Sequence, residues 1–309
     1  MKRGNIVEQK VTSLTAIALL CFASTAPIAR AQIGGAPTGN WMAIEQILGR
    51  KGAANPGGVV RFGFPRSDLT VRLDGVDIKP ALALGGWTAF VADGRKHVIV
   101  MGDLVLLEDE VAPVISALQA GGVEQTAVHN HLLREQPHVV YIHIHAHGDA
   151  ESIARTIHAA LAQTKTPLSA PAASAPAATP DLDTVTIART LRASGKWNGG
   201  VYQVSVPRQE RITADGIVVP PSMGVATAIN FQPTGSGKAA ITGDFVLREG
   251  EVNPVIRALR DNGIEVTALH THMLMEQPKL FFMHFWANND AVKLARGLAS
   301  ALERTASKR

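Results

Sequence analysis

The sequence predicts an α+β protein: two tandem homologous domains, each an antiparallel sheet with helices packed on one face. Two observations carry this. "GDLVLLEDEVAPVISALQAGGVEQTAVHNHLLREQP" from residue 102 matches "GDFVLREGEVNPVIRALRDNGIEVTALHTHMLMEQP" from residue 243 without a gap, at a constant offset of 141. Within each copy, runs of alternating polarity interleave with runs of helical spacing, as an antiparallel sheet with covering helices requires. The match continues weakly upstream, where Pro65-Arg66 answers Pro207-Arg208, Asp74-Gly75 answers Asp215-Gly216 and Pro80 answers Pro220. Each unit is about 120 residues, an ordinary domain size.

In the first copy a short helix, Trp41 to Leu48, precedes two strand-like runs, "GGVVRFGF" and "LTVRL". "WTAFVADGRKHVIVMGDLVLL" reads as a hairpin turning at Asp93-Gly94, a two-residue turn signal. "DEVAPVISALQAGG" has apolar residues at 111, 114, 115 and 118, which is helical spacing. Asp109 and Glu110 suit its N-terminus, Pro113 its first turn, and Gly121-Gly122 its end. Glu110 and its counterpart Glu251 are most simply read as stabilising a helix N-terminus. "VEQTAVHNHLL" and "HVVYIHIHA" follow as strands, with Gln136-Pro137 and Gln277-Pro278 shaping the turns between them. A helix capped by Asp149 closes the unit, as Asp290 does in copy two.

The boundaries follow from composition. Residues 1–31 read as a signal peptide: Lys2, Arg3 and Lys10 precede a short apolar run that ends in Ala29-Arg30-Ala31. Residues 32–163 form the first domain, 164–182 a Pro/Ala-rich linker, and 183–309 the second domain. Cleavage near Ala31 lowers the formal charge from +4 to +1, which argues against a nucleic-acid partner. It also removes Cys21, the sole cysteine, so the mature chain has neither disulfide nor thiolate ligand. Leu20 is not the small residue expected before a lipidated cysteine, so ordinary cleavage is favoured over a lipid anchor at Cys21. The expectation is a periplasmic or secreted protein with no transmembrane segment in the mature chain.

Nine of the eleven histidines lie in the two hairpins that begin at His129 and His270. Residues two apart on a strand share a face. His129 and His131 thus point one way, and Tyr141, His143, His145 and His147 share a face of the returning strand, while Ile142, Ile144 and Ala146 take the opposite face. A His-x-His pair with a carboxylate and a cross-strand imidazole suits a divalent ion, and the lack of sulfur favours Zn, Mn, Fe or Cu. The set present in both copies is His129, His131, Glu135 and His143, answered by His270, His272, Glu276 and His284. Trp286 and Asn288 replace His145 and His147, and Lys279 replaces His138, which reads as a surface residue. Asp103 and Asp244, each following Gly in a strand, are candidates for a general base or for a partner orienting a histidine. Both also have a plainer reading as acceptors for backbone N–H groups. Three functions stay open: a metal-binding protein, a metal-dependent hydrolase, and a non-catalytic module binding a small ligand or cell-envelope component with structural histidines. The "TGSGKAA" run near residue 234 lacks phosphate-loop spacing and reads as a hairpin turn.

The His-x-His-x-x-x-Glu spacing resembles the first metal motif of cupins, but Ile142 and Met283 stand where that motif has glycine, and a helix runs into the His strand. The stretches "ALHTHMLMEQPKLFFMHFW" and "GDFVLREGEVNPVIRALRDNGIEVT", with their first-copy counterparts, resemble the bacterial LppY/LpqO family across nearly the whole mature chain. That resemblance implies export and a duplicated architecture. It supplies no reaction and no site residues.

Overall fold

The computed structural model describes residues 1, 41–169 and 181–309. The segment read as a signal peptide and most of the Pro/Ala-rich run therefore lie outside the described residues. The first repeat contains α1 (Trp41–Leu48), β1 (Ala53–Asn55), β2 (Val59–Pro65), β3 (Val71–Leu73), β4 (Val76–Ile78), β5 (Gly85–Ala92) and β6 (Val98–Leu107). It continues with α2 (Glu108–Ala120), β7 (Glu124–His129), β8 (Val139–Gly148) and α3 (Ala150–Leu161). The second repeat has α4 (Thr184–Leu191), β9 (Gly195–Asn198), β10 (Val201–Pro207), β11 (Thr213–Ala214), β12 (Ile217–Val218), β13 (Ala226–Gly235) and β14 (Lys238–Leu247). α5 (Glu249–Asp261), β15 (Glu265–His270), β16 (Phe281–Asp290) and α6 (Ala291–Leu302) complete it. Each repeat builds a six-stranded antiparallel sheet, in the orders β1-β2-β5-β6-β8-β7 and β9-β10-β13-β14-β16-β15.

Strand alternation decides which residues face the helices. On β6, Val98, Val100, Leu104 and Leu106 join Ile142, Ile144 and Ala146 of β8 in one core with α1, α2 and α3. The second repeat repeats this with Ile241, Phe245 and Leu247 against α4, α5 and α6. The opposite faces are also buried. Two further cores draw residues from both repeats and none from an α-helix. One joins Trp87, Ile99 and Met101 to Val246 and Phe282, and the other joins Val105, Leu132 and Tyr141 to Val201 and Trp286. The two sheets therefore pack face to face, with helices on the outer sides. A fully buried Phe such as Phe62 or Phe285 contributes about 1.5–3 kcal/mol relative to exposure, so cores on both faces of each sheet hold the layers in a fixed order.

Polar groups pin the seam where β7 and β15 meet. Thr126 Oγ1 donates to His272 O at 2.8 Å and Thr267 Oγ1 donates to His131 O at 2.6 Å, related by the pseudo-two-fold of the duplication. Asn130 Nδ2 donates to Thr267 O at 3.0 Å, and Thr271 Oγ1 to Thr126 O at 3.1 Å. These bonds satisfy strand-edge groups that would otherwise invite pairing with another chain.

Several sequence expectations take a different local form. The β5–β6 connection is not a two-residue turn but runs from residue 93 to 97. The Asp93 N–H donates to His97 O, and Asp93 Oδ1 accepts the N–H groups of Arg95 and His97. Pro113 sits in the second turn of α2, because the helix begins at Glu108. Glu110 Oε2 accepts the N–H of Leu107 at 2.8 Å, as expected at a helix start. It also pairs with Arg66, which is fully buried and reaches Asp68 as well. Arg208 repeats this with Glu210 and Glu251. The turn at Ser236-Gly237 and the caps at Asp149 and Asp290 match expectation. Among the described residues no helix is long and apolar enough to cross a membrane.

Candidate metal centre between the repeats

The centre is built from the inner face of β8 and β16. His143 lies opposite Asp103 in the β6–β8 register, and His284 lies opposite Asp244 between β14 and β16. His143 Nδ1 is 3.1 Å from Gly102 O, and His284 Nδ1 is 2.6 Å from Gly243 O. A carbonyl only accepts, so Nδ1 carries the proton in both rings and Nε2 presents its lone pair inward. Strand approach at these carbonyls is tight: a Cβ on Gly243 would lie 2.0 Å from Ala228 O, and one on Gly102 would lie 2.7 Å from Trp87 O. Glycine before the aspartate is thus what the sheet requires here.

The other imidazoles arrive from the ends of β7 and β15. β7 stops at His129, so His131 lies in the following loop rather than on the strand. His131 stacks on Tyr141 with ring centroids 3.4 Å apart, and His272 stacks on Phe282 at the same distance. His272 Nδ1–H donates to Gly224 O at 3.0 Å, again directing Nε2 inward. His129 and His270 stack on each other at 3.9 Å, where the two repeats meet. His131 approaches His284 at 3.9 Å between ring centroids, and His272 approaches His143 at 3.8 Å. The second histidine of each His-x-His pair therefore meets the returning strand of the other repeat.

Most of the inward-facing polar atoms in this cluster converge without a hydrogen bond, the exception being His270 Nε2 with His143 Nε2. His131 Nε2 is 3.2 Å from Asp103 Oδ2, and His272 Nε2 is 2.9 Å from Asp244 Oδ2, yet neither nitrogen has a hydrogen-bonding partner of acceptable direction. His129 Nδ1 and Nε2, His270 Nδ1, His284 Nε2, Asp103 Oδ1 and Asp244 Oδ1 are likewise buried and unpartnered. His270 Nε2 and His143 Nε2 are 3.2 Å apart. Two ligand atoms bound tetrahedrally to one Zn ion stand about 3.4 Å apart, so these separations are those of atoms aimed at a common point. Within this cluster three groupings of described residues have ligand atoms within 4.8 Å of one another: His129 with His143 and His270, His129 with His131 and His284, and Asp244 with His270 and His284.

Burial sets the protonation state. It pushes His129, His131 and His270 far below the ordinary imidazole value, and neighbouring imidazoles push them further. Burial lowers His143 to about 3, with His272 adding to the effect and Asp103 opposing it. Burial likewise takes His272 to about 3 against the pull of Asp103. The carboxyls move the other way: burial raises Asp103 despite His143, and raises Asp244 to about 7 despite His284. Neutral imidazole is the form that binds a metal.

Two of the sequence-predicted ligand residues are not brought here. Glu135 is buried, but its Oε1 accepts the Val139 N–H at 3.2 Å and lies 3.0 Å from His138 Nδ1. Glu276 Oε1 accepts the Leu280 N–H at 2.9 Å and pairs with Lys279. Both hold the loop that precedes the returning strand, and His138 lies at the surface as expected while also reaching Glu135. Asp103 and Asp244 occupy the carboxylate positions instead. Arg61 was missed. Its guanidinium lies 3.9 Å from the Trp87 ring centre, and burial lowers it to about 10 against the pull of Asp103. No repeat signal could have found it, because Gln203 stands at its place in the second repeat.

The model of a family described as Domain of Unknown Function (DUF1259) matches residues 42–163 and, separately, residues 185–304. The chain belongs to the DUF1259 family. Both matches contain one copy of the His-x-His hairpin, so the centre joins two DUF1259 units. No curated protein matches the chain. Solved structures with some similarity are microcompartment shell proteins. EtuB from Clostridium kluyveri is 11% identical, with 81% of this chain and 90% of that chain covered. The trimeric bacterial shell protein PduB is 13% identical, covering 82% and 89%. The double-ringed trimeric shell protein MSM0271 from the RMM microcompartment is 13% identical, covering 67% and 82%. Each has a TM-score of 0.19, too low to transfer fold or function.

Proposed function

We propose that this protein binds a divalent transition-metal ion in the seam between its two DUF1259 units. The ligands are drawn from His129, His131, His143, His270, His272 and His284, with Asp103 and Asp244. One observation carries the reading: buried, unpartnered nitrogen and oxygen atoms from both repeats converge to within ion-binding separations. A polar core of structural histidines would pair those atoms, since an unpaired buried polar group costs about 1–3 kcal/mol. An ion satisfies several at once and supplies a positive charge beside Asp244 and, together with Arg61, beside Asp103. The all-N/O donor set favours Zn, Mn, Fe or Cu.

The basic-then-apolar segment at residues 1–31 and the resemblance to the LppY/LpqO family support placement of this metal protein outside the cytoplasm. Elemental analysis of the untagged protein tests the metal reading. The expected result is at least one equivalent of a transition metal, with one equivalent lost on substituting His131 and His272 together. Metal-free protein that takes up none of Zn, Mn, Fe or Cu would overturn it.

A further inference from the structure

We infer that Asp93, His97 and His147 form a second, exposed divalent-metal site, present in the first repeat alone. The three residues lie at the far end of the β5–β6–β8 surface, four residues along β8 from His143. One ligand atom from each falls within 4.8 Å of the other two. His147 Nε2 is 3.1 Å from Asp93 Oδ2, and the rings of His97 and His147 lie 5.8 Å apart at 83°. The edge-on arrangement keeps the two imidazoles from stacking, and an ion at this point would displace the His147 Nε2 proton that Asp93 Oδ2 now accepts.

The carboxylate is built into place. Asp93 has a side chain 3% exposed, and its Oδ1 is held by the backbone N–H groups of Arg95 and His97. Only Oδ2 is left to turn toward the histidines. His147, at 36% exposure, and His97, exposed in the connection, leave room for water to complete an ion's shell. Two imidazoles and one carboxylate with open positions suit Zn(II) or Cu(II) rather than Ca(II) or Mg(II).

The second repeat shows what this corner is without ligands. At the offset of 141, Thr234 stands for Asp93, Lys238 for His97 and Asn288 for His147. The same cross-strand contact survives as Thr234 Oγ1 to Asn288 Oδ1 at 2.9 Å. The fold thus closes this corner with a neutral pair and a lysine, and does not need histidine there. The duplication also supplies substitutions that the backbone already accommodates.

The test is Zn(II) titration by calorimetry on the untagged full chain and on the variant His97→Lys with His147→Asn, each first stripped with chelator. The expected result is that the variant loses one equivalent, or that this equivalent weakens at least tenfold, with the melting temperature of the metal-free protein unchanged. Identical stoichiometry and affinities within twofold would overturn the inference. If the double variant melts early, Asp93→Thr serves the same comparison. The site is independent of the buried centre, so His131→Ala with His272→Ala must retain this equivalent. Loss of all zinc in that second variant would also count against the inference.

Discussion

Replacing Asp244 with Asn is expected to act in opposite directions in the metal-free and metal-loaded protein. Burial raises the Asp244 carboxyl from its ordinary value of 3.8 to about 7. A carboxyl whose folded value is raised contributes most favourably below its unfolded value, and that contribution is lost as pH climbs through the folded value. Metal-free protein should therefore lose stability between about pH 4 and pH 7. The rise from 3.8 to about 7 corresponds to about 4 kcal/mol. Asp244→Asn cannot ionise, so at pH 7.5 in chelator it should be more stable than wild type, by up to that amount. That corresponds to a melting temperature higher by about 8–16 °C, at 2–4 °C per kcal/mol. Metal reverses the order. An ion at a hundred times its dissociation constant adds about 2.7 kcal/mol, and the variant, short of one anionic ligand, should capture less of it. The assay is chemical denaturation from pH 4 to pH 8, with chelator and with excess Zn(II). A wild type and variant with parallel pH profiles in chelator would refute the burial argument. Equal stabilisation of both by zinc would refute a ligand role for Asp244.

Other expected outcomes are more local. Arg208→Ala leaves Glu251 and Glu210 without their buried cation and should cost about 3–5 kcal/mol in denaturant melts. Burial tends to raise both carboxyls, but Arg208 more than offsets it and holds them below the usual range. Their stabilising contribution is present above the unfolded value and should disappear as pH falls through the folded one, so Arg208→Ala should flatten acid unfolding. Glu135→Gln with Glu276→Gln should leave metal content unchanged while lowering the melting temperature, because these side chains hold loop N–H groups. Loss of metal in that variant would restore the His-x-His-x-x-x-Glu reading. Gly243→Ala drives a Cβ to 2.0 Å from Ala228 O and should displace the carbonyl that orients His284. Its expected signature is reduced zinc uptake alongside a lower melting temperature.

Much of the fold was legible because alternation is a local property. The split of β8 into Ile142, Ile144 and Ala146 toward the helices and Tyr141, His143, His145 and His147 toward the other side follows from period two alone. The duplication then marked which histidines belong to both copies. The candidate site was legible only in part. Alternation stops being informative at His129, where the strand ends, so the reach of Glu135 along the chain said nothing about where its carboxylate goes. Asp103 meets His143 through cross-strand register, which depends on the pairing of β6 with β8 and not on spacing. The approach of His131 to His284 depends on how two sheets pack, and packing between repeats leaves no local trace in either one.

The most direct test of the account is an anomalous-scattering map from crystals of the metal-loaded protein. A peak is expected about 2.0–2.2 Å from histidine nitrogens contributed by both repeats, with Asp103 or Asp244 completing the shell. At the seam, a peak bound by one repeat alone, a peak completed by Glu135 or Glu276, or no peak among these histidines would contradict it.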